Sequence, residues 1–328
     1  MTTAEILAAF PKLSALVVGD ICLDRWCTYD PALAEPSRET GIPRVAVVRA
    51  EVTPGAGGTV ASNLAALGAG RVAVLGVIGD DGFASELERA LAARGIAPEL
   101  LLRAPAIQTF TYTKLLNAVT GLEDLARVDH VNSAPLDPSA ERLILDRLLK
   151  AADSFDVILV SDQAETASGG VVTPAVRALL ADLARAYTEK LFWVDFRARI
   201  ECFRNMVLKP NRQEAETACR ALFGRVDFPA LARHTAAKLL IVTQGAGGAL
   251  VVSEGGEQRV ETAPVARPVD ICGAGDSFSA GAALALRVTG SGLEAARFGN
   301  RVAAITIMKK GTGTATPGEL LAHAYPGD

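Results

Sequence analysis

Short apolar runs that end in polar residues recur along this 328-residue chain, and they constrain its fold more than any other feature. A wholly apolar strand is buried on both faces, which is typical of a parallel sheet covered by helices. Most of the runs are followed by a stretch with helical spacing of apolar residues. The sequence therefore predicts an α/β fold with a mainly parallel sheet, whose strands include residues 15–18, 71–78, 156–160, 191–194 and 239–242.

Two segments interrupt this alternation and predict a second, smaller sheet. The first, at about 21–52, is irregular and proline-containing over 25–44 and strand-like over 45–52. The second, at about 106–131, alternates threonines with Phe110 and Tyr112, a period typical of a half-exposed strand. We interpret the pair as a β lid that could close over a site. Because no linker or repeat is evident, we expect one domain over residues 1–328.

Composition excludes several classes of protein. The net charge is −4 and no long basic run occurs, which disfavours nucleic-acid binding. No run approaches the roughly 18 apolar residues of a membrane span, and the first residues lack the pattern of a signal peptide. The five cysteines are odd in number and lack CxxC spacing, which favours free thiols. We therefore expect a cytoplasmic protein with a small-molecule partner.

The stretch from Pro268 to Gly281 places a tight glycine turn directly before an acid. Gly273, Ala274 and Gly275 precede Asp276, which opens a run of small and apolar residues typical of a buried helix. A helix N-terminus presents unpaired N–H groups and a positive dipole end, which suit a phosphate. A carboxylate on that turn is well placed to accept a proton from a nucleophile. Taken alone, the stretch is equally consistent with a capped loop.

Phosphoryl transfer from ATP to an alcohol needs a base, donors for the developing phosphate charge, and Mg²⁺. Asp276 can serve as the base, and the N–H groups of the glycine turn can hold the charge. Asn211 and Glu214 share one face of a helix turn and could position Mg²⁺ through waters. The simpler interpretation of that pair is a helix cap with its capping-box acid.

Two other nucleotide-binding classes are disfavoured, because the chain has neither GxxxxGK[ST] nor GxGxxG after its first strand. Polar residues nevertheless follow several apolar strands, where ligands of parallel sheets gather. A glycine-rich helix entry at 55–59 suits either close helix packing or a substrate-contacting loop. The strand-end residues are Asp20, Asp80, Asp162, Asp195, Asn211 and Thr243, and Asp24 lies close by.

The segment from Asp270 to Asp276, with Phe278, resembles the C-terminal signature of the ribokinase (PfkB) sugar-kinase family, normally DTxGAGDxF. Asn211-x-x-Glu214 is similar to the family's NxxE magnesium motif. Shorter stretches resemble the heptose 7-phosphate kinase (RfaE-type) branch, among them 19–25, 113–114 and 208–211. The resemblance implies a ribokinase-like three-layer αβα fold and an ATP- and Mg²⁺-dependent kinase for a sugar or sugar phosphate.

Carried over residue by residue, the resemblance implies a role for each matching position. Asp276 would be the catalytic base, and Gly273, Ala274 and Gly275 would form the anion hole. Asn211 and Glu214 would lie near Mg²⁺, and Asp270 near a candidate monovalent-cation site, such as one for K⁺. The nucleotide would contact Thr243, Gly245, Gly247 and Asn300, and the acceptor would contact Asp24, Gly57, Gly58, Thr59 and Lys114.

Most departures from the family pattern fall on the acceptor side. They are Thr59 for an asparagine, Glu35 for an arginine, Gln163 and Glu165 for a tyrosine and a lysine, and Phe196-Arg197 for Pro-Lys; Ile271 replaces the threonine of the signature. We therefore expect kinase chemistry, with D-glycero-D-manno-heptose 7-phosphate at C1 as one acceptor. The alternatives are another sugar, such as a ribose- or fructose-type acceptor, and an inactive binding homologue. A lid with an apolar face would allow a homodimer.

Overall fold

The computed structural model describes residues 1–164, 166, 168–253, 255–263 and 265–322. The strands are β1 (Ser14–Gly19), β2 (Ile21–Tyr29), β3 (Val47–Ala56), β4 (Arg71–Leu75), β5 (Val77–Gly79), β6 (Ile96–Ala97), β7 (Leu102–Ala104), β8 (Thr111–Asn117), β9 (Val128–His130), β10 (Val157–Asp162), β11 (Leu191–Phe196), β12 (Val207–Leu208), β13 (Leu239–Thr243), β14 (Ala249–Ser253) and β15 (Gly256–Val260). The helices are α1 (Thr3–Ala9), α2 (Gly57–Ala66), α3 (Gly82–Ala92), α4 (Pro138–Ala151), α5 (Pro174–Ala186), α6 (Arg212–Phe223), α7 (Phe228–His234), α8 (Ala274–Thr289), α9 (Gly292–Thr306) and α10 (Pro317–Ala322).

The large sheet confirms the predicted α/β class. Within the described residues it has nine strands in the order β15-β14-β13-β12-β11-β10-β1-β4-β6. The pairs from β6 to β13 are parallel, and β13, β14 and β15 are joined by antiparallel pairs. Because parallel strands end at the same edge, β1, β10, β11 and β12 deliver the residues that follow them to one crevice.

Alternate residues of each central strand point into two separate cores. On β1, Ala15 and Val17 pack with α2, α8 and α9, while Leu16 and Val18 pack with α4 and α5. All four side chains are fully buried. The sheet is therefore covered by helices on both faces, which gives the expected three layers and explains why the strand sequences are continuously apolar.

A four-stranded lid sheet, in the order β3-β2-β8-β9, stands apart from the large sheet. Its strands come from the two segments predicted to form a lid. β2 pairs with β8 in parallel, so that Asp24 lies opposite Tyr112 and Trp26 opposite Lys114. The prediction of irregular chain over 25–44 is wrong for its first five residues. β2 is paired on both sides, by β3 and β8, and this pairing overrides a weak local pattern.

Several predicted boundaries also shift. β3 continues to Ala56 and leads directly into α2, where the chain had been expected to leave the strand at residue 52. The last helix of the described residues, α10, ends at Ala322. None of the helices in the described ranges combines the length and the apolar character needed to cross a bilayer.

Candidate active site

Two adjoining cavities lie at the carboxyl ends of the central strands. The larger, about 670 Å³, lies between the loops after β11 to β13 and the start of α8; we call it the nucleotide cavity. The smaller, about 160 Å³, lies under the lid sheet; we call it the acceptor cavity. Among the described residues, four line both cavities: Gln163, Arg197, Gly273 and Asp276. The two cavities therefore meet at the glycine turn.

The glycine turn forms the N-terminus of α8. Gly273 is the N-cap and has φ 78°, a left-handed conformation that favours glycine. The N–H of Ala274 donates to the carbonyl of Ile271 at 3.2 Å. The N–H groups of Gly275 and Asp276 have no acceptor among the described residues, as the first turn of a helix requires. Of the three N–H groups that the sequence assigns to an anion, that of Ala274 is therefore engaged in the turn, while those of Gly273 and Gly275 have no acceptor among the described residues.

Asp276 lies on the first turn of α8 and is half-buried where the two cavities meet. Burial and the neighbouring Asp195 together raise the pKa of its carboxyl to about 7, although Lys209 opposes the rise. A base is most effective when its pKa is near the working pH. The position of the Asp276 carboxyl between the two cavities and its raised pKa would therefore both suit a proton acceptor at neutral pH.

A buried ion pair stands behind the glycine turn. Lys209 Nζ lies 3.0 Å from Asp195 Oδ2, and the Ser279 hydroxyl donates to the same oxygen at 2.6 Å. A Cβ on Gly275 would lie 3.3 Å from the ammonium, so this cation faces the proposed anion hole. Sequence reasoning gave Lys209 no role. The sequence feature that could have indicated a role is its position at the end of the apolar strand β12, directly before Pro210-Asn211.

Asn211 and Glu214 form a capping box at the start of α6. The Asn211 side chain accepts from the Glu214 N–H at 2.9 Å, and the Glu214 carboxylate accepts from the Asn211 N–H at 2.7 Å. Both residues also line the nucleotide cavity, and burial raises the pKa of Glu214. The two residues can therefore cap α6 and also lie beside a bound nucleotide.

The residues near Glu214 suit an ion held mostly by other ligands. The described chain contains no group of three or more His, Cys, Asp or Glu residues arranged to hold a metal. Mg²⁺ commonly keeps several waters and binds through one or two carboxylates plus substrate phosphates. Glu214, one of the three carboxylates among the described residues that line the nucleotide cavity, fits that pattern.

The remaining wall of the nucleotide cavity is largely apolar. Thr243, Gly245 and Asn300 line it, as the resemblance implied; Gly247 does not, although Ala246 and Gly248 on either side do. The Asn300 amide donates to the backbone carbonyl of Glu261 at 3.3 Å, which fixes its orientation. The apolar lining includes Val265, Ala303, Ala304 and Ile307.

Lid side chains dominate the acceptor cavity. Lys114 lies over the ring of Trp26, with 4.3 Å from Nζ to the ring centroid, and Arg127 lies over the ring of Tyr112 at 5.4 Å. Burial raises the pKa of Asp24 to about 6. The cationic lining residues are Arg25, Lys114, Arg127 and Arg197, and the acidic ones are Asp24 and Asp276. The excess of cations favours an anionic ligand.

Gly55 makes room for the Asp24 carboxyl, because a Cβ on Gly55 would lie 2.6 Å from the carboxyl carbon of Asp24. Thr59 lines the acceptor cavity, and its hydroxyl donates to the carbonyl of Pro54 at 3.2 Å. Gly57 and Gly58 are buried and line neither cavity. A Cβ on Gly57 would approach Ile21, and one on Gly58 would approach Pro54. These two glycines therefore match the packing interpretation of the helix entry.

Two further acids, Asp20 and Asp270, anchor loops beside the site. Asp20 is buried and accepts from the backbone N–H groups of Gln163, Ala164 and Val171, which fixes the loop after β10. Asp270 accepts from the N–H groups of Cys272 and Gly311 at 2.9 and 3.1 Å. These bonds tie the glycine turn to the loop after α9. The monovalent-cation role of Asp270 stays a prediction.

The departures from the family pattern occupy different places. Arg197 Nε donates to Gln163 Oε1 at 3.0 Å, where the cavities meet. Ile271 lines the nucleotide cavity. Glu35 is an exposed lid residue, 3.5 Å from Arg44, and lines neither cavity. Glu165 lies outside the described residues.

The sequence matches the pfkB family of carbohydrate kinases over residues 14–318. This chain belongs to that family. Its members are phosphotransferases with an alcohol group as acceptor, and the resemblance found in the two motifs is thereby confirmed.

Curated relatives match almost the whole chain. The bifunctional protein HldE of Rhodopseudomonas palustris (strain HaA2) is 31% identical over 327 residues, which cover 98% of this chain and 65% of the relative. The HldE protein of Geobacter sulfurreducens is 32% identical over 333 residues, which cover 97% of this chain and 64% of the relative. This kinase thus spans just under two thirds of the length of these relatives.

Solved structures agree on the fold. A ribokinase from Thermotoga maritima has a TM-score of 0.68 and 22% identity, covering 94% of this chain and 98% of its own. Phosphofructokinase-2 from Escherichia coli, in complex with substrates and products, has a TM-score of 0.70 and 19% identity with the same coverage. The ribokinase-like architecture is therefore established for this kinase.

Proposed function

We propose that this kinase transfers the γ-phosphoryl group of ATP to a hydroxyl of an anionic sugar, most simply a sugar phosphate. The observation that carries the proposal is the meeting of two cavities at Asp276 and Gly273. A nucleotide in the larger cavity and an acceptor in the smaller would react across this shared wall. Such an arrangement converts two bound molecules into one oriented pair.

Each residue at the junction has a definite task in the reaction. Asp276 accepts the proton of the acceptor hydroxyl while the oxygen of that hydroxyl forms a bond to the γ-phosphorus of ATP. The bond from that phosphorus to the β–γ bridging oxygen breaks, and ADP leaves with the electron pair. The N–H groups of Gly275 and Asp276 and the ammonium of Lys209 face the negative charge that develops.

Mg²⁺ would screen the triphosphate when bound, with Glu214 and Asn211 nearest to it. Both are already oriented by the capping box, so they can hold waters around the ion without reordering. For K⁺ we retain only the prediction at Asp270, whose carboxylate positions the backbone of the adjoining loops.

For the acceptor we propose D-glycero-D-manno-heptose 7-phosphate, phosphorylated at C1. Support comes from the similarity to HldE proteins and from the cations of the acceptor cavity. Because Gln163 and Arg197 depart from the pattern of the heptose-kinase branch, a ribose- or fructose-type acceptor is the main alternative. The test is ADP release across heptose 7-phosphate, pentose and hexose phosphates, and the matching free sugars.

The panel has four informative results. Turnover only with the heptose phosphate supports the full proposal, and turnover only with another phosphate replaces the acceptor. Turnover only with neutral sugars overturns the anionic acceptor. ATP binding without any turnover would favour an inactive homologue, against which the tuned Asp276 argues.

We also propose that the lid pairs with a second copy of this kinase. Several apolar side chains on the lid are about half exposed, including Val47, Val48 and Val128. Apolar surface of this kind commonly marks an interface. Light scattering on the wild type and on Val48→Glu tests this: we expect a dimer that the variant weakens, and a monomeric wild type would refute the proposal.

A further inference from the structure

The junction of the two cavities holds a pair of residues to which the reaction above gives no role. Of the four described residues that line both cavities, Asp276 and Gly273 belong to the base and the glycine turn. The other two are Gln163 and Arg197. A group that lines both cavities can reach a phosphoryl group while it passes from one to the other.

The sheet register places the two residues side by side. β10 and β11 are parallel neighbours, with Asp162 opposite Phe196, so the next residues on each strand are Gln163 and Arg197. The Arg197 N–H donates to the Asp162 carbonyl at 3.1 Å, which extends the ladder by one bond. Arg197 Nε then donates to Gln163 Oε1 at 3.0 Å. The guanidinium is therefore held by its backbone and by its Nε.

Gln163 is itself rigidly placed. Only 8% of its surface is exposed, and its backbone N–H donates to the buried carboxylate of Asp20 at 2.8 Å. A buried amide fixed at the backbone makes a firm support for a neighbouring side chain. This explains how Arg197, an exposed residue on a loop, keeps one orientation at the site.

The charge of Arg197 acts on three acids of the site. It opposes the rise in pKa that burial causes at Asp24 in the acceptor cavity, at Glu214 in the nucleotide cavity and at Asp276 between them. Because Arg197 also lines both cavities, its guanidinium lies near their junction. A planar guanidinium with several N–H donors matches the oxygens of a phosphoryl group better than an ammonium does.

We propose that Arg197 is a further catalytic residue, which contacts the transferring phosphoryl group, and that Gln163 is the positioning residue that orients it. The inference rests on the proposed kinase reaction. Arg197 gains and loses no proton: it offsets the charge on the phosphoryl oxygens while the bond to the acceptor forms and the bond to ADP breaks. Its contribution is thus confined to the transfer step.

The first test needs no acceptor. ADP binding is measured by calorimetry with Mg²⁺, with and without aluminium fluoride, a planar mimic of the phosphoryl group. Wild-type protein should bind ADP more tightly when aluminium fluoride is present. In Arg197→Met this gain should fall by about a hundredfold, while binding of ADP alone changes less than about threefold. Arg225→Met, an exposed arginine paired with Asp227 elsewhere, is the matched control and should behave as wild type.

The outcomes separate the inference from the proposed function. A wild-type protein that fails to bind ADP contradicts the kinase proposal. A wild-type gain with aluminium fluoride that Arg197→Met fully retains overturns the role of Arg197 alone. Thermal unfolding of each variant confirms that it is folded, which is expected because Arg197 is exposed.

The second test uses the acceptor found by the panel. We expect Arg197→Met to lower kcat by about a hundred- to a thousandfold with little change in the acceptor KM, and Arg197→Lys to recover part of it. Gln163→Leu should lower kcat by about tenfold and add no further loss to Arg197→Met. A rise in acceptor KM with unchanged kcat would assign Arg197 to acceptor binding and overturn the proposal.

Discussion

The nucleotide cavity and the acceptor cavity are lined by different kinds of chemical group. The first relies on backbone N–H groups at the start of α8, a capping box on α6 and small apolar side chains. The second relies on long charged side chains carried by the lid sheet, three of them stacked on aromatic rings. Backbone geometry serves any phosphate, whereas side chains on a lid can be exchanged for another acceptor. In the proposed reaction, chemistry and selectivity would therefore occupy separate parts of this kinase.

The largest effect should come from Asp276→Asn, where the two regions meet. Loss of the base should lower turnover by about a thousandfold or more, while the affinity for ATP changes little, since the amide keeps the shape of the side chain. Coupled ADP release and calorimetry measure the two quantities. Turnover near the wild-type value would show that another group takes the proton.

Lys209→Met should be the most damaging charge removal for stability. It leaves the Asp195 carboxylate buried without its cation, which should cost about 3 kcal/mol in the free energy of unfolding. The double variant Lys209→Met/Asp195→Asn should recover much of this loss in denaturant titrations. Equal stability of single and double variants would mean that the pair is not coupled.

The pH dependence should follow Asp276. Its pKa of about 7 lies above the ordinary value, so the protonated, inactive form accumulates as pH falls below about 7. We expect kcat/KM to rise from pH 5.5 to 8, with a drop of about tenfold per pH unit on the acid side. A profile that stays flat through pH 7 would contradict the assigned base.

Lys114→Met should produce the smallest effect and mark the acceptor end. The acceptor KM should rise by about tenfold with the ATP KM unchanged, because Lys114 reaches only the acceptor cavity and one charge-assisted hydrogen bond to an anion contributes about 1.5 kcal/mol. Lys114→Arg, which keeps the charge, should lie close to wild type. An altered ATP KM would break the division between the two regions.

Sequence alone was sufficient for the parts of the fold that depend on local pattern. Continuous apolar strands such as β1 predicted a sheet buried on both faces, and the alternation over 109–113 predicted a lid strand. β2 was missed over its later residues because its two partners, β3 and β8, decide its structure rather than its own pattern. Register and pairing come from contacts that are distant in sequence.

The site shows the same division. The residues of the GAGD turn are consecutive, and Asn211 and Glu214 lie three positions apart. Each motif can therefore be recognised from the sequence alone. Arg197 and Gln163 are 34 residues apart and meet only because β10 and β11 are neighbours. Lys209 meets Asp195 in the same way, across β11 and β12. No local sequence pattern predicts which residues pair across neighbouring strands in this way.

The stacking of Lys114 on Trp26 also provides a spectroscopic handle. The chain has two tryptophans: Trp193 is fully buried in the core, and Trp26 lines the acceptor cavity beside Gly311. A ligand that draws the ammonium away from the ring should change the emission of Trp26 and leave that of Trp193 unaltered. Trp26→Phe, which leaves only Trp193, should abolish the change and so identify Trp26 as its source. Acceptors could therefore be recognised by titration, before any turnover is measured.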